Sequence, residues 1–277
     1  MTDFIQRLID SLVSAQIDSP RLELRMMIAD LLHCDVNEIS LNLDLSSEQG
    51  SKLKDMVARR VKHEPLDKIL GYRDFYKYRF VVNDDVLSPR PDSEVIVEEA
   101  IALCKKIKPD SILELGVGSG CLILSVLGDF PELLGVGIDK SEMALKIAAA
   151  NAENLNLSAR VQWKQTNYFS DDLPRENFSI IISNPPYIPH NDIEGLDTEV
   201  KKYDPISALD GGTDGYDHYR RLAEIAPDLL KENGYFLLEA GIGQANKIVE
   251  LFERQGLVLY KKVRDLSGVE RCVIMKK

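Results

Sequence analysis

The chain has 277 residues, 44% of them hydrophobic, and a formal net charge of −11 with a pI near 5.0. It is longer than one typical domain and apolar enough for a sizeable core, so one large domain with a smaller companion is expected. The acidic balance argues against a long nonspecific grip on a phosphate backbone, which needs clustered Lys and Arg, although a local basic patch stays open.

The first residues, MTDFIQRLID, carry acids among their apolar positions. That suits neither a signal peptide nor an Arg-rich transit sequence. Phe4, Leu8 and Leu12 repeat at helical spacing, and a second helix is predicted where Ser19 precedes Pro20, a cap followed by proline at the first helical position. A third follows Ser46 and Ser47, with Leu53, Val57 and Val61 on one face until Pro65 stops it. Residues 1–72 thus read as a small all-α domain, and the sequence shows no polar cluster in it.

Residues 75–82, FYKYRFVV, are aromatic and β-branched with partial alternation, and NDD follows as a turn signal. A short β-hairpin linker over 73–90 is predicted. LSPRPDSEVIVEEAIALCKKI then opens a helix with Asp92 or Ser93 near its start, and from residue 91 to 277 the chain alternates strand and helix. Strands are predicted at 111–115, 133–138, 160–164, 178–183, 234–240, 257–263 and 270–275, and helices at 119–129, 141–156, 217–231 and 243–255. This is the pattern of a mostly parallel sheet covered on both faces. Only RDLSG separates the last two strands, too short for a parallel crossover, so they are expected to pair antiparallel and to end an otherwise parallel sheet. That feature points to the methyltransferase variant of the Rossmann-like architecture, with seven strands.

Cys34, Cys104, Cys121 and Cys272 lie far apart, with no CxxC pair and no histidine at metal-ligand spacing. No metal site is expected, and a reducing, cytoplasmic setting fits. No uninterrupted apolar run approaches the length of a membrane span.

LELGVGSG, residues 113–120, follows a strand and opens a helix, the setting of a glycine-rich ligand loop. The dinucleotide fingerprint would place its third glycine at 121, where Cys121 stands; the glycines here are Gly116, Gly118 and Gly120. GxGxG spacing suits S-adenosylmethionine, whose carboxylate can meet the free amides at the helix start. Asp139 ends the next strand, placed to accept two ribose hydroxyls. In TNYFS, 166–170, Asn167 could hydrogen-bond the amino edge of an adenine and Tyr168 could pack on its face. An ordinary loop anchored by Phe169 fits the same residues.

ISNPPYIP, 182–189, delivers Asn184 to the carboxyl end of a strand, where open α/β sheets bind ligands. Pro185 disfavours helical backbone at Asn184, and Pro186 does the same to Pro185, so the chain stays extended. The Asn184 side-chain oxygen and the Pro185 carbonyl can then face one site as two acceptors. Two convergent acceptors match an –NH₂ group: they hold its nitrogen and favour the charge that develops as a methyl group is accepted. Tyr187 would cover the planar group, and a proline-stiffened loop is the plainer alternative.

NPPY resembles the signature of methyltransferases acting on planar NH₂ groups of DNA adenine, ribosomal RNA bases or protein glutamine. EPLDKILGYRDFYKYRFVVNDDVLSPRPDSE (64–94), SNPPYIP, ALDGGTDGYDHYRRLAEIA (208–226) and LLEAGIGQ (237–244) narrow the resemblance to the HemK/PrmC family of peptide chain release factor glutamine methyltransferases. It runs from about residue 62 to the C-terminus. The resemblance implies a class I methyltransferase that methylates the side-chain nitrogen (N5) of the glutamine in the Gly-Gly-Gln motif of release factors, leaving S-adenosylhomocysteine. Carried over by position, the cofactor would contact Gly116, Val117, Gly118, Ser119, Gly120, Asp139, Asn167, Tyr168 and Asn184. The target glutamine would meet Asn184, Pro185, Pro186 and Tyr187, with Asn184, Pro185 and Tyr187 in the catalytic roles. Asn167 stands where the family usually has aspartate, and Asp204-Pro205 where it usually has Glu-Pro.

Residues 188–216 form a long connection rich in Gly, Asp and Pro, the kind that more often makes lids or binding surfaces. This loop and the N-terminal helices are expected to hold the release factor. The alternative is methylation of an exocyclic amino group on an RNA or DNA base, which usually calls for a basic surface. Residues 1–70 hold nine Lys and Arg against twelve Asp and Glu, which disfavours it, and no direct nucleic-acid contact is expected. A third reading, a cofactor-binding regulator without catalysis, has the intact NPPY against it.

Overall fold

Secondary structure follows the apolar spacing closely in the computed structural model, which describes every residue except Met1, Asn42, Asp171, Asp172, Pro174 and Arg175. The first two fall within the predicted helical domain and the other four within the predicted methyltransferase domain, outside the described residues. Two compact units divide the chain: residues 1–72 with 197–203, and residues 73–196 with 204–277.

In the first unit, α1 (Thr2–Ser14) buries Ile5, Leu8, Ile9 and Leu12. Helix α2 (Pro20–Leu32) buries Leu24, Met27 and Ile28 against them. Ser19 does not cap α2 with its side chain, because its ψ of 58° is outside the extended region; its carbonyl accepts the Glu23 N–H instead. Helix α3 (Ser47–Arg60) opens with a reciprocal capping box, the Gln49 N–H donating to Ser46 Oγ at 3.2 Å and the Ser46 N–H to Gln49 Oε1 at 2.9 Å. Leu53 and Val57 are buried, and Val61 only partly so. After Pro65 a short α4 (Leu66–Leu70) ends at Gly71, whose φ of 81° suits a left-handed cap. The unit does hold a polar cluster: Arg60, nearly buried, bonds Glu23 at 2.6 Å and Glu199 at 2.7 Å. Its partners are 37 and 139 positions away, so no local pattern reveals it.

The second unit begins at Arg73, inside β1 (Tyr72–Phe75), which with β2 (Tyr78–Val81) forms a two-stranded hairpin whose turn puts Tyr76 at φ 54°. A 3₁₀ turn over Pro91–Ser93 leads into α5 (Glu94–Ile107). Then follow β3 (Ser111–Leu115), α6 (Cys121–Asp129), β4 (Leu134–Asp139), α7 (Glu142–Asn154), β5 (Val161–Gln165) and β6 (Phe178–Ser183). Past α8 (Thr198–Tyr203), which belongs to the first unit, come α9 (Asp217–Leu229), β7 (Leu230–Glu239), α10 (Ala245–Glu253), β8 (Val258–Arg264) and β9 (Glu270–Lys276).

The seven-stranded sheet has the order β5-β4-β3-β6-β7-β9-β8 and is parallel except for β9. Alternate residues of its central strands pack on opposite faces: Ile180, Ile182, Leu237 and Ile274 lie with α5 and α6, Ile181, Phe236, Leu238 and Val273 with α9 and α10. Strands buried on both sides read as unbroken apolar runs, which is what SIIIS is. The antiparallel strand does not end the sheet as predicted. Helix α10 carries β8 two places beyond β7, and the five-residue turn 265–269, closed by Asp265 accepting the Ser267 and Val269 N–H groups, folds β9 back into the vacant place between them. Edge strand β8 is mostly exposed and bears Lys261 and Lys262, which protect an edge from pairing.

Candidate active site

Strand order reverses between β3 and β6, and the carboxyl ends of these two strands are where an open α/β sheet has its ligand crevice. A cavity of about 220 Å³ lies there. Registers explain which residues reach it. Leu115 pairs with Ile138, which sets Gly116 beside Asp139; Asp139 pairs with Gln165, which brings Asn167 and Tyr168 close; Ser183 pairs with Leu238, which sets Asn184 beside Glu239.

The wall contains Gly116, Val117, Gly118, Ser119, Asp139, Asn167, Tyr168, Asn184 and Pro186 of the predicted residues. Gly120, Pro185 and Tyr187 are not in it. Gly116 and Gly118 have φ of 79° and 55°, and a Cβ on either would meet nothing within 4 Å, so their backbone is bare toward open space. Gly120 faces the other way: a Cβ there would stand 3.1 Å from Leu124 and 3.2 Å from Ala148, so this glycine serves helix packing. Ile138 O accepts the Gly116 N–H at 2.8 Å, and Asp139 Oδ2 accepts the Gly118 N–H at 2.9 Å. Asp139 Oδ1 takes the Ser141 N–H at 2.8 Å, so each oxygen keeps a lone pair for a ligand hydroxyl.

Beneath the loop, Glu114 is buried, its Oε2 accepting the Ile123 N–H at 3.1 Å; burial holds this carboxyl well above the usual range, with that hydrogen bond opposing. Asn167 Oδ1 accepts the Phe169 N–H at 3.0 Å, which leaves its amide NH₂ and one lone pair of the oxygen for a ligand. The ring of Tyr168 stacks on Phe169 with centroids 5.4 Å apart, and its hydroxyl pairs with His218 Nδ1. Burial, then the nearby Lys140 charge, lowers the His218 pKa to about 4, so the ring is neutral at physiological pH.

The NPPY turn is held from behind. Tyr187 O accepts Gln244 Nε2 at 3.0 Å, and Ile188 exchanges backbone hydrogen bonds with Leu209 and Gly211. Residues 209–215 press so closely that a Cβ on Gly211 would stand 2.8 Å from Tyr187 C and Cα, and one on Gly215 2.5 Å from Tyr187 O. This accounts for Gly211 and Gly215 of DGGTDG, while a Cβ on Gly212 would run into the Asp217 side chain. The Tyr187 ring packs beside Gly241 instead of the cavity, and burial pushes its phenol up to about 12, the Glu239 charge adding to this. Arg90 and Asp204, read only as part of motifs, form a 2.6 Å ion pair with Arg90 in the cavity wall.

Two residues beside Asn184 escaped the sequence reading, and one of them, Ser93, lines the cavity itself. Asn184 Nδ2 donates to Ser93 Oγ at 3.4 Å, and Ser93 Oγ donates to Glu239 Oε2. Ser93 and Glu239 are both buried. A carboxylate at the carboxyl end of a central strand, as Glu239 is, was the available signal.

Sheet order, glycine loop and NPPY turn together define a Rossmann-like methyltransferase. The family model described as methyltransferase small domain matches residues 94–199, and a crystal structure of a methyltransferase from Pyrococcus furiosus shares the fold, with a TM-score of 0.51 at 19% identity over 83% of this chain and 98% of that one. The PrmC N-terminal domain model matches residues 3–71. The release factor glutamine methyltransferase of Caulobacter vibrioides is 39% identical over 267 residues, 96% of this chain and 92% of that protein. That of Geobacter sulfurreducens is 39% identical over 259 residues, 93% and 89%. The chain belongs to the release factor glutamine methyltransferase family.

Proposed function

We propose that this protein methylates the side-chain amide nitrogen of the glutamine in the Gly-Gly-Gln motif of peptide chain release factors, with S-adenosylmethionine as methyl donor. The observation that carries this is that Asn184 and the bare backbone of Gly116 and Gly118 line one cavity. The cavity fits the donor: the open backbone of Gly116 and Gly118 for the close approach of its methionine end, Asp139 lone pairs for the ribose, and Asn167 with Tyr168 for the base. Asn167, whose oxygen takes the Phe169 N–H and keeps a second lone pair, would meet the amino edge of the base. When bound, the sulfonium supplies an already activated methyl group.

The remaining work falls to the NPPY turn. Asn184 Oδ1 and the Pro185 carbonyl accept the two N–H bonds of the target amide, fix its nitrogen and stabilise the positive charge it gains. Pro186 keeps Pro185 extended. Tyr187, anchored through its carbonyl and ring, holds the turn against the 209–215 segment. Residues 1–72 and the connection 188–216 contribute the surface that docks the release factor, a reading supported by the N-terminal family match. Methylation that survived removal of residues 1–70 would argue against that last role.

Labelled S-adenosylmethionine offered to purified release factor, to its Gln→Ala variant, to ribosomal RNA and to DNA tests the whole. Label is expected on the unaltered release factor alone. Label on RNA or DNA alone overturns the assignment. Among the described residues no helix is long and apolar enough to cross a membrane.

A further inference from the structure

The hydrogen bonds behind Asn184 run in one direction. A serine hydroxyl has a single proton, and Ser93 gives its proton to Glu239 Oε2. An ionised carboxylate only accepts, so the Ser93 oxygen is left with lone pairs alone to offer Asn184. The Asn184 NH₂ group meets it at 3.4 Å. With the amide reversed, Asn184 Oδ1 would confront the Ser93 oxygen, acceptor against acceptor. The reversed amide would also present a donor to the N–H groups of a target amide.

We propose that Ser93 and Glu239 are positioning residues that lock the Asn184 amide with its oxygen toward the cavity, so that the charge on Glu239 selects the polarity of the site. The proposal rests on the reading that Asn184 accepts hydrogen bonds from the substrate amide. It adds that this acceptor is made, not given: a free asparagine side chain offers either end with equal ease. When Glu239 takes up a proton it can donate to Ser93 Oγ, the Ser93 proton is released toward Asn184, and the reversed amide becomes as well bonded as the productive one.

The environment makes such a switch accessible. Burial raises the Glu239 carboxyl to about 7, with Ser93 and Arg271 opposing. The other groups facing Glu239 are Asp92, Tyr187, Tyr219, Cys121 and Cys272. Burial pushes both phenols and both thiols upward, away from the neutral range.

The test compares the wild-type enzyme with Ser93→Ala, Ser93→Thr and Glu239→Gln between about pH 6 and pH 8. Steady-state methylation of the release factor is read beside the side-chain NH₂ resonance of Asn184 in ¹⁵N-labelled protein without substrate. Wild-type kcat is expected to fall as pH drops through about 7, while Glu239→Gln, which still accepts from Ser93 but cannot titrate there, loses that acid limb. Ser93→Ala is expected to lower kcat by ~10-fold with cofactor affinity unchanged, and Ser93→Thr to restore it. The Asn184 resonance should shift with pH in the wild type and stay constant in Glu239→Gln. A Ser93→Ala enzyme with unaltered kcat, or an Asn184 resonance indifferent to pH, overturns the proposal. Should the wild type fail to methylate release factor, the assigned substrate is wrong, and the resonance still decides the relay.

Discussion

Asn151 grips Val81 at both ends of its side-chain amide, Oδ1 accepting the Val81 N–H at 2.7 Å and Nδ2 donating to the Val81 carbonyl at 3.1 Å. The same Nδ2 donates to the Ser119 carbonyl at 2.9 Å, so one buried asparagine on α7 ties the hairpin to the glycine loop. Asn151→Ala leaves these backbone groups without their partner in a dry site, and a loss of about 2–4 kcal/mol in unfolding free energy is expected. Denaturant melts measure that loss, and titration calorimetry should show weaker S-adenosylmethionine binding because Ser119 is released. A variant as stable as wild type would mean the clamp contributes nothing.

The carbonyl of Tyr187 and the Cα of Gly215 are too close for any side chain between them. Gly215→Ala adds a Cβ 2.5 Å from that oxygen at a φ of 79°, so the 209–215 segment must withdraw from the NPPY turn. Expected are a kcat reduced by ~10-fold or more and cofactor affinity little changed, since the glycine loop lies on another strand. Equal damage to both constants would show instead a collapse of the whole site.

Asp139 and Asn184 should separate binding from chemistry. Asp139→Ala removes acceptors of ligand hydroxyls and frees the Gly118 and Ser141 amides, and S-adenosylmethionine affinity is expected to fall by ~10²-fold. Asn184→Ala leaves the glycine loop intact and is expected to lower kcat by ~10²-fold or more with a much smaller change in affinity. Calorimetry beside single-turnover methylation distinguishes the two, and an Asn184→Ala enzyme of normal rate would remove the acceptor mechanism.

His218 should make stability depend on pH in a defined window. Its folded pKa, about 4, lies below the ordinary 6.5, so between these values the unfolded chain binds more protons. Stability therefore rises with pH across that window and is lost as pH falls through it. His218→Gln keeps a hydrogen-bonding partner for Tyr168 and cannot titrate. The difference in melting temperature between wild type and this variant should shrink or reverse as pH falls from about 6.5 toward about 4. A difference independent of pH would place the His218 titration elsewhere.

Local chemistry made much of this protein readable from its residues. Apolar spacing marks the helices, SIIIS marks a strand buried on both faces, and GVGSG between strand and helix marks a backbone bare to a ligand. Two prolines after Asn184 dictate an extended turn whatever surrounds it. These are properties of neighbouring residues, and neighbours in sequence are neighbours in every fold.

Contacts across long separations were decided only by the folded chain. Gly120 looks like its fellow glycines until α7 packs against it, and Tyr187 looks like a lid until Gly241 and the 209–215 segment turn its ring aside. Ser93 and Glu239, 146 positions apart, meet because β6 and β7 pair in one register and α5 begins above their ends. The place of β9 between β7 and β8 likewise depends on where α10 crosses. Pattern specifies what each residue prefers locally; which distant groups share a hydrogen bond is set by packing, because sheet register and helix position convert separations of a hundred residues into a few ångströms.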